Sequence, residues 1–266
     1  MILLTAKGAF ACEFMKRHDA VVASKRELPQ QEFIGALRLA RSVIHNAASI
    51  SCNSADQFLK NNFENTRELV DLLVKVNSDA NFINVASMSF LKDDTSYLET
   101  VQMSPYAYSK YRAERYCLES NLSRIASVRF STLFYKDPAR DGLSKLICDA
   151  VRTRKITLLN NGEGKRDFIP LGIAVEYVHK ITQAPDLRRG TWNIVSGNPV
   201  SFCEIAQMLK KHIDGLEISS KDVTESVAVL SSFHQRDVCA LGEISYSLED
   251  EIRNYIKQVM NENSYN

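Results

Sequence analysis

Tyr106 and Lys110 stand four residues apart in the segment Ser104-Pro-Tyr106-Ala-Tyr108-Ser-Lys110-Tyr-Arg-Ala-Glu114. On a helix that step places both side chains on one face. A phenol ordinarily ionises at about 10. A cation one turn away favours the phenolate and draws that value down, which makes Tyr106 a candidate general acid or base. The spacing alone also describes an ordinary solvated helix. Nineteen residues before Tyr106, Phe82-Ile-Asn-Val-Ala-Ser87-Met88-Ser89 sets hydroxyls just past an apolar run. Val43-Ile-His45-Asn46-Ala47-Ala48-Ser49 ends another apolar run in small residues that admit a ligand to the backbone.

Those side chains need a scaffold, and the hydrophobic pattern supplies one. Short β-branched runs at Ile2–Leu4, Ala20–Ala23, Ser42–His45, Phe82–Val85 and Ala126–Phe130 read as strands. Between them, residues 53–76 carry Phe58, Leu59, Phe63, Leu69, Leu72, Leu73 and Val76 at steps of three and four, an apolar helix face. Residues 105–121 form a second such stretch. Strand–helix alternation predicts an α/β fold, a doubly wound parallel sheet. Ligands of such sheets bind beyond the carboxyl ends of the strands. After about residue 136 the pattern loosens, and helices are predicted near 201–212 and 247–262.

Composition narrows the function classes. The 266 residues include 33 Lys+Arg against 32 Asp+Glu, a net charge of +1, without the basic excess of a nucleic-acid binder. No apolar run approaches the ~18 residues of a membrane span, so neither nucleic acid nor membrane is expected as a partner. The six cysteines, from Cys12 to Cys239, form no CxxC pair. Their scatter fits reduced thiols in a cytoplasmic protein and gives no metal site.

Taken in order, these segments resemble the extended short-chain dehydrogenase/reductase family, the NAD-dependent epimerases and dehydratases of nucleotide sugars. His45-Asn46-Ala47-Ala48 is similar to the family's strand-four motif, Asn62 to its helix asparagine, and Ser87, Tyr106 and Lys110 to its catalytic triad. Ser127-Val-Arg129-Phe-Ser-Thr132 resembles the strand before the substrate loop. Gly162-Glu-Gly-Lys-Arg166-Asp167-Phe168 resembles the segment whose arginine binds the nucleotide diphosphate. Gly190-Thr-Trp-Asn193-Ile-Val-Ser-Gly197 resembles a later strand and turn. The resemblance implies a Rossmann-like NAD(P)-binding domain of residues 1–135 plus about 167–197. A smaller, mixed substrate-binding region would take 136–166 plus 198–266. It also implies a homodimer through helices 53–76 and 105–121.

The chain departs from that family in instructive places. The phosphate loop T-G-x-x-G-x-x-G becomes Thr5-Ala6-Lys7-Gly8-Ala9-Phe10-Ala11-Cys12. Either Gly8 serves the turn through a one-residue shift, or cofactor binding is weakened. Lys7 is a candidate phosphate contact. After the second strand, Lys25-Arg26 replace the acidic residue common in NAD sites and attract a 2′-phosphate, so NADP is favoured, with NAD possible. Only 18 residues separate Arg26 from His45, which leaves room for one helix and predicts that the family's third strand is missing. Met88-Ser89 stands where dehydratases resemble one another in carrying Asp-Glu. A thioether cannot donate a proton, which disfavours dehydration.

The resemblance therefore implies a nucleotide-sugar oxidoreductase, a 4-ketoreductase or an epimerase, of the kind used in polysaccharide biosynthesis. Ser87, Tyr106 and Lys110 would be catalytic. Thr5, Lys7, Gly8, Phe10, Lys25, Arg26, Asn46, Ala47, Ala48 and Asn62 would join Tyr106 and Lys110 around the cofactor. Ser49, Ser89, Thr132, Arg166 and Arg236 would meet the sugar nucleotide. The altered glycine loop motivates the alternative, a non-catalytic NAD(P)-binding or sensing protein.

Overall fold

A computed structural model describes residues 1–92, 95–184, 187, 189–223 and 236–263, with Arg236 and Asn263 described by backbone alone. The chain begins β1 (Ile2–Leu4), α1 (Ala9–Arg17), β2 (Val21–Val22), α2 (Gln30–Leu39) and β3 (Ser42–His45). It continues α3 (Ala55–Phe58), α4 (Asn65–Val76), β4 (Asn81–Ser87), α5 (Pro105–Glu119) and β5 (Ile125–Phe130). Next come β6 (Thr132–Phe134), α6 (Gly142–Thr153), β7 (Lys155–Leu159), β8 (Lys165–Arg166), β9 (Phe168–Pro170) and α7 (Leu171–Gln183). The last elements are β10 (Gly190–Ile194), β11 (Val200–Ser201), α8 (Phe202–His212), β12 (Glu217–Lys221), α9 (Arg236–Ala240) and α10 (Leu248–Asn263).

The chain forms two compact units. The first comprises residues 1–130, 174–194 and 237–241. Its six-stranded sheet has the order β10-β5-β4-β3-β1-β2, with every pairing parallel. β3 and β5 are buried at every position, the pattern of strands covered on both faces. One apolar layer joins Phe33 and Leu37 of α2, Leu69 and Leu73 of α4, and Val43 and Phe82 of the sheet. Among the described residues the expected third strand is absent. α2 leads straight into β3, and β2 is the sheet's edge. The loss therefore trims the rim and leaves the central ladder whole.

The second unit comprises residues 131–173, 195–236 and 242–266. Phe134, Ile147, Ile205, Leu209, Ile252 and Ile256 belong to its core. Three two-stranded pairings lie here: β11·β8 antiparallel, β12·β7 parallel and β6·β9 parallel. Asp167, fully buried, explains why β9 and its approach belong to this unit. Its carboxylate accepts from the Ser131 and Ser196 hydroxyls and from the amides of Ser196 and Gly197. Among the described residues no helix is long and apolar enough to cross a membrane.

Candidate active site

The start of α5 is fixed by its own sequence. Ser104 Oγ accepts from Ala107 N at 3.2 Å, and Pro105 occupies the first helical turn, where its missing N–H costs nothing. Tyr106 is thereby held in that first turn, with Lys110 one turn on. Ser87 is the last residue of β4. Lys110 is 3% exposed, and its Nζ donates to Val85 O at 2.7 Å. The Ser87 side chain lies beside the Tyr106 hydroxyl. The three residues thus converge at the carboxyl end of β4, the position where parallel sheets bind ligands.

The electrostatics differ from the sequence expectation. Burial raises the Tyr106 phenol above its ordinary value, and only the neighbouring Ser87 hydroxyl opposes this. Lys110 is not among the groups that shift Tyr106 here, and its ammonium donates to the β4 backbone. Burial pushes Lys110 down to about 8, and Glu114 resists that shift. Val85 O accepts one of the three ammonium protons, which leaves two for a ligand.

A polar network underlies the site. Asn62 is 1% exposed and lies in a π-wound segment, Leu59–Glu64, between α3 and α4. Its Oδ1 accepts from Ser49 N at 2.7 Å, while Nδ2 donates to Ser49 O and to Ser109 Oγ, each at 3.0 Å. Ser109 Oγ donates in turn to Tyr106 O at 2.7 Å. Both Nδ2 protons of Asn62 are used in these bonds, and Oδ1 keeps one lone pair. His45 is 3% exposed and lies between Thr5 Oγ1 and Thr66 Oγ1, each 2.8 Å away.

The altered glycine loop places Gly8 at the start of α1. Gly8 is the N-cap of α1 with φ 156°, a conformation L side chains rarely adopt. Asn46 pins the preceding turn, accepting from Ala6 N at 3.2 Å and donating to Ala6 O at 2.9 Å. The first turn of α1 carries no acidic residue. Its outward amides and the helix dipole suit an anion. Phe10 sits in that turn with its ring buried and stacked on Phe14. Ala47 is half-buried and Ala48 exposed just beyond β3.

The basic residues are less free than their sequence implies. Lys7 pairs with Glu27 at 3.2 Å, and Lys25 pairs with Glu68. Arg26 instead reaches the neutral Asn61 Oδ1 at 3.5 Å. Thr132 and Arg166 belong to the second unit, both half-buried, with Arg166 Nη1 donating to Lys165 O at 2.9 Å. The Arg236 side chain lies outside the described residues. Sequence reading missed Glu114 and Arg129, which form a buried ion pair with side chains 0% and 6% exposed. The step of four from Tyr106 to Lys110 continues to Glu114 and was the available signal. The six cysteines are all free, and no metal-binding cluster occurs among the described residues.

The NAD dependent epimerase/dehydratase family matches residues 27–194, and the chain belongs to that family. Its fold is similar to MoeE5 in complex with UDP-glucuronic acid and NAD (TM-score 0.81, 19% identity, 98% of this chain and 99% of that one). It is similar to Helicobacter pylori ADP-L-glycero-D-manno-heptose-6-epimerase (TM-score 0.77, 18% identity, 97% and 96%). It also resembles RMD from Pseudomonas aeruginosa complexed with NADPH (TM-score 0.78, 16% identity, 98% and 99%). No curated protein matches the chain.

Proposed function

We propose that this chain is an NAD(P)-dependent nucleotide-sugar oxidoreductase, a 4-ketoreductase or an epimerase. The observation that carries the reading is the convergence of Ser87, Tyr106 and buried Lys110 at the end of β4. Family membership and the likeness to proteins solved with UDP-sugars, NAD and NADPH support it. The first unit would be the dinucleotide-binding domain, and the second would supply substrate contacts.

The chain's residues fit a nicotinamide dinucleotide. Gly8 provides the turn that the missing glycines would have made, and the first turn of α1 offers amides without a competing acid. Thr5, Lys7, Phe10, Asn46, Ala47 and Ala48 would line its path, with Asn62 holding Ser49 and α5 in place. Arg26 would favour NADP, since Lys7 and Lys25 already face carboxylates. When bound, the cofactor supplies hydride transfer.

The proton chemistry belongs to the protein. Tyr106 would exchange a proton with the reacting sugar oxygen, and Ser87 would hydrogen-bond that oxygen as its charge changes. Lys110 would turn its two remaining N–H donors to the cofactor ribose. The ribose hydroxyls would give Lys110 further acceptors close to Tyr106. Ser49, Ser89, Thr132, Arg166 and Arg236 would contact the nucleotide sugar. The helices α4 and α5 would pair two copies.

Titration with NADPH and NADH, read by thermal shift, tests the reading, because a native-state ligand raises the midpoint. Binding of NADPH in preference to NADH is expected. Binding of neither sinks the proposal. Tyr106→Phe should keep cofactor affinity and lose turnover.

A further inference from the structure

Ser87 Oγ donates to Ser89 Oγ at 3.0 Å, and Ser89 N donates back to Ser87 Oγ at 3.1 Å. A hydroxyl carries one proton and two lone pairs. The proton of Ser87 and one of its lone pairs are therefore used within this pair, and one lone pair is left. Met88, between the two serines, is 6% exposed, and its N–H donates to Phe130 O at 3.1 Å. That bond extends the β4·β5 ladder and holds the serines in place while Ser89 itself stays exposed.

We propose that Ser89 is a positioning residue that fixes the proton of Ser87, so that Ser87 faces Tyr106 and the reacting oxygen as an acceptor. The inference rests on the reading of Ser87 and Tyr106 as the catalytic pair. Its consequence is a polarity for the site. A substrate hydroxyl, or the Tyr106 phenol, can donate to Ser87 at once. A keto oxygen, or the Tyr106 phenolate that the Ser87 hydroxyl favours, receives a bond from Ser87 only after the serine turns its proton away from Ser89. The resting site is thus matched to the secondary-alcohol form of a sugar. Reduction of the ketone begins with a rotation of one hydroxyl.

The test uses ligand-free protein with tyrosines labelled at the phenol carbon, observed by NMR. The Tyr106 resonance is assigned by its loss in Tyr106→Phe, and it reports whether the phenol oxygen donates or accepts. Ser89→Ala removes the acceptor for the Ser87 proton but keeps the backbone N–H bond. The expected result is a displaced Tyr106 resonance at neutral pH and an ionisation constant raised about threefold or more, as Ser87 turns to stabilise the phenolate. Ser89→Thr retains a hydroxyl and should restore both readings. An unmoved Tyr106 resonance in Ser89→Ala overturns the proposal, as does a Thr variant that behaves like Ala. Should the alkaline titration unfold the protein, the neutral-pH resonance decides alone. No ligand enters this measurement, so a failure to bind NADPH or NADH would sink the functional reading and leave this result interpretable.

Discussion

His45 Nε2 and Thr66 Oγ1 lie 2.8 Å apart, and the histidine is the donor. The Thr66 hydroxyl has given its one proton to Asn62 O at 2.6 Å, so at His45 it can only accept. Nδ1 is then the unprotonated nitrogen and receives the Thr5 hydroxyl. Donors run in one sense from Thr5 through His45, Thr66, Asn62 and Ser109 to the carbonyl of Tyr106. The loop after β1 and the first turn of α5 are held by one hydrogen-bonded series.

A neutral His45 makes the fold acid-sensitive. Burial, with Lys110 adding to it, pushes His45 from the ordinary 6.5 down to about 3. Between those values the unfolded chain binds a proton that the folded chain refuses, so stability is intact above 6.5 and falls as pH drops toward 3. The slope approaches ~1.4 kcal/mol per pH unit. His45→Gln keeps an amide donor and cannot titrate there. Urea midpoints across this range should show a shallower fall in the variant, and equal slopes would contradict the assignment.

Lys110 gives the opposite end of the pH scale. Its folded value, about 8, lies below the ordinary 10.5. Between the two, the unfolded chain holds the extra proton, so stability rises as pH increases through this window. Below about 8 the folded protein carries the full cost of a buried cation. Over 2.5 units at ~1.4 kcal/mol each, that cost is about 3 kcal/mol. Lys110→Met should therefore raise the unfolding midpoint at neutral pH and flatten the alkaline rise while abolishing turnover. A variant less stable than the parent at neutral pH would refute this.

Much of this arrangement was readable in the sequence because it depends on local pattern. The runs Ile2–Leu4 and Ser42–His45 are strands at those bounds. The short passage from Arg26 to His45 was a count, and a count sufficed to remove a strand. The π-wound turn at Asn62 was not readable, since the partners of that side chain, Ser49 and Ser109, come from other parts of the chain. The pairing of Lys7 with Glu27 and of Lys25 with Glu68 was hidden for the same reason. A sequence displays a cation and withholds its counter-ion. The direction of the Tyr106 shift failed likewise, because spacing of four sets a shared face and does not show how deeply the phenol is buried.

Gly8 carries the loop that lost three glycines. At φ 156° an L side chain is strained even though no atom lies within 4 Å of the point a Cβ would occupy. Gly8→Ala should cost about 1–3 kcal/mol of stability. If the loop binds the pyrophosphate, NADPH affinity should fall by about tenfold or more, since ~1.4 kcal/mol corresponds to that factor. Isothermal titration of parent and variant checks it; equal affinities would show that this turn does not shape the cofactor site.

Arg26 is the basic residue at the end of β2 that faces a neutral partner. Arg26→Ala should weaken NADPH more than NADH, by roughly 1–2 kcal/mol for a lost charge-assisted bond. Lys25→Ala should have a smaller effect, because Glu68 already balances its charge. Competitive titration of both cofactors against each variant separates the cases. A larger loss from Lys25→Ala would move the 2′-phosphate contact to that residue.

Glu114 ties α5 to β5. Its carboxylate accepts from Arg129 Nε at 2.9 Å and from Ser127 Oγ at 2.8 Å, while Tyr97 hydroxyl donates to it at 3.1 Å. Arg129 also donates to the Tyr97 hydroxyl at 2.9 Å, tying the segment after Ser89 to α5 and β5. Removing one partner strands the other charge in the core, at a cost of about 3–5 kcal/mol. Glu114→Gln should therefore lower the unfolding midpoint sharply. It should also lower the Lys110 ionisation further, since Glu114 now helps retain that proton. Glu114→Gln combined with Arg129→Met should recover part of the stability, because the stranded cation is gone. It should not recover the Lys110 shift, which depends on the carboxylate. Unfolding curves and the Lys110 titration by NMR on both variants distinguish the two effects. Strict additivity of the two substitutions would show that the pair does not act as a unit.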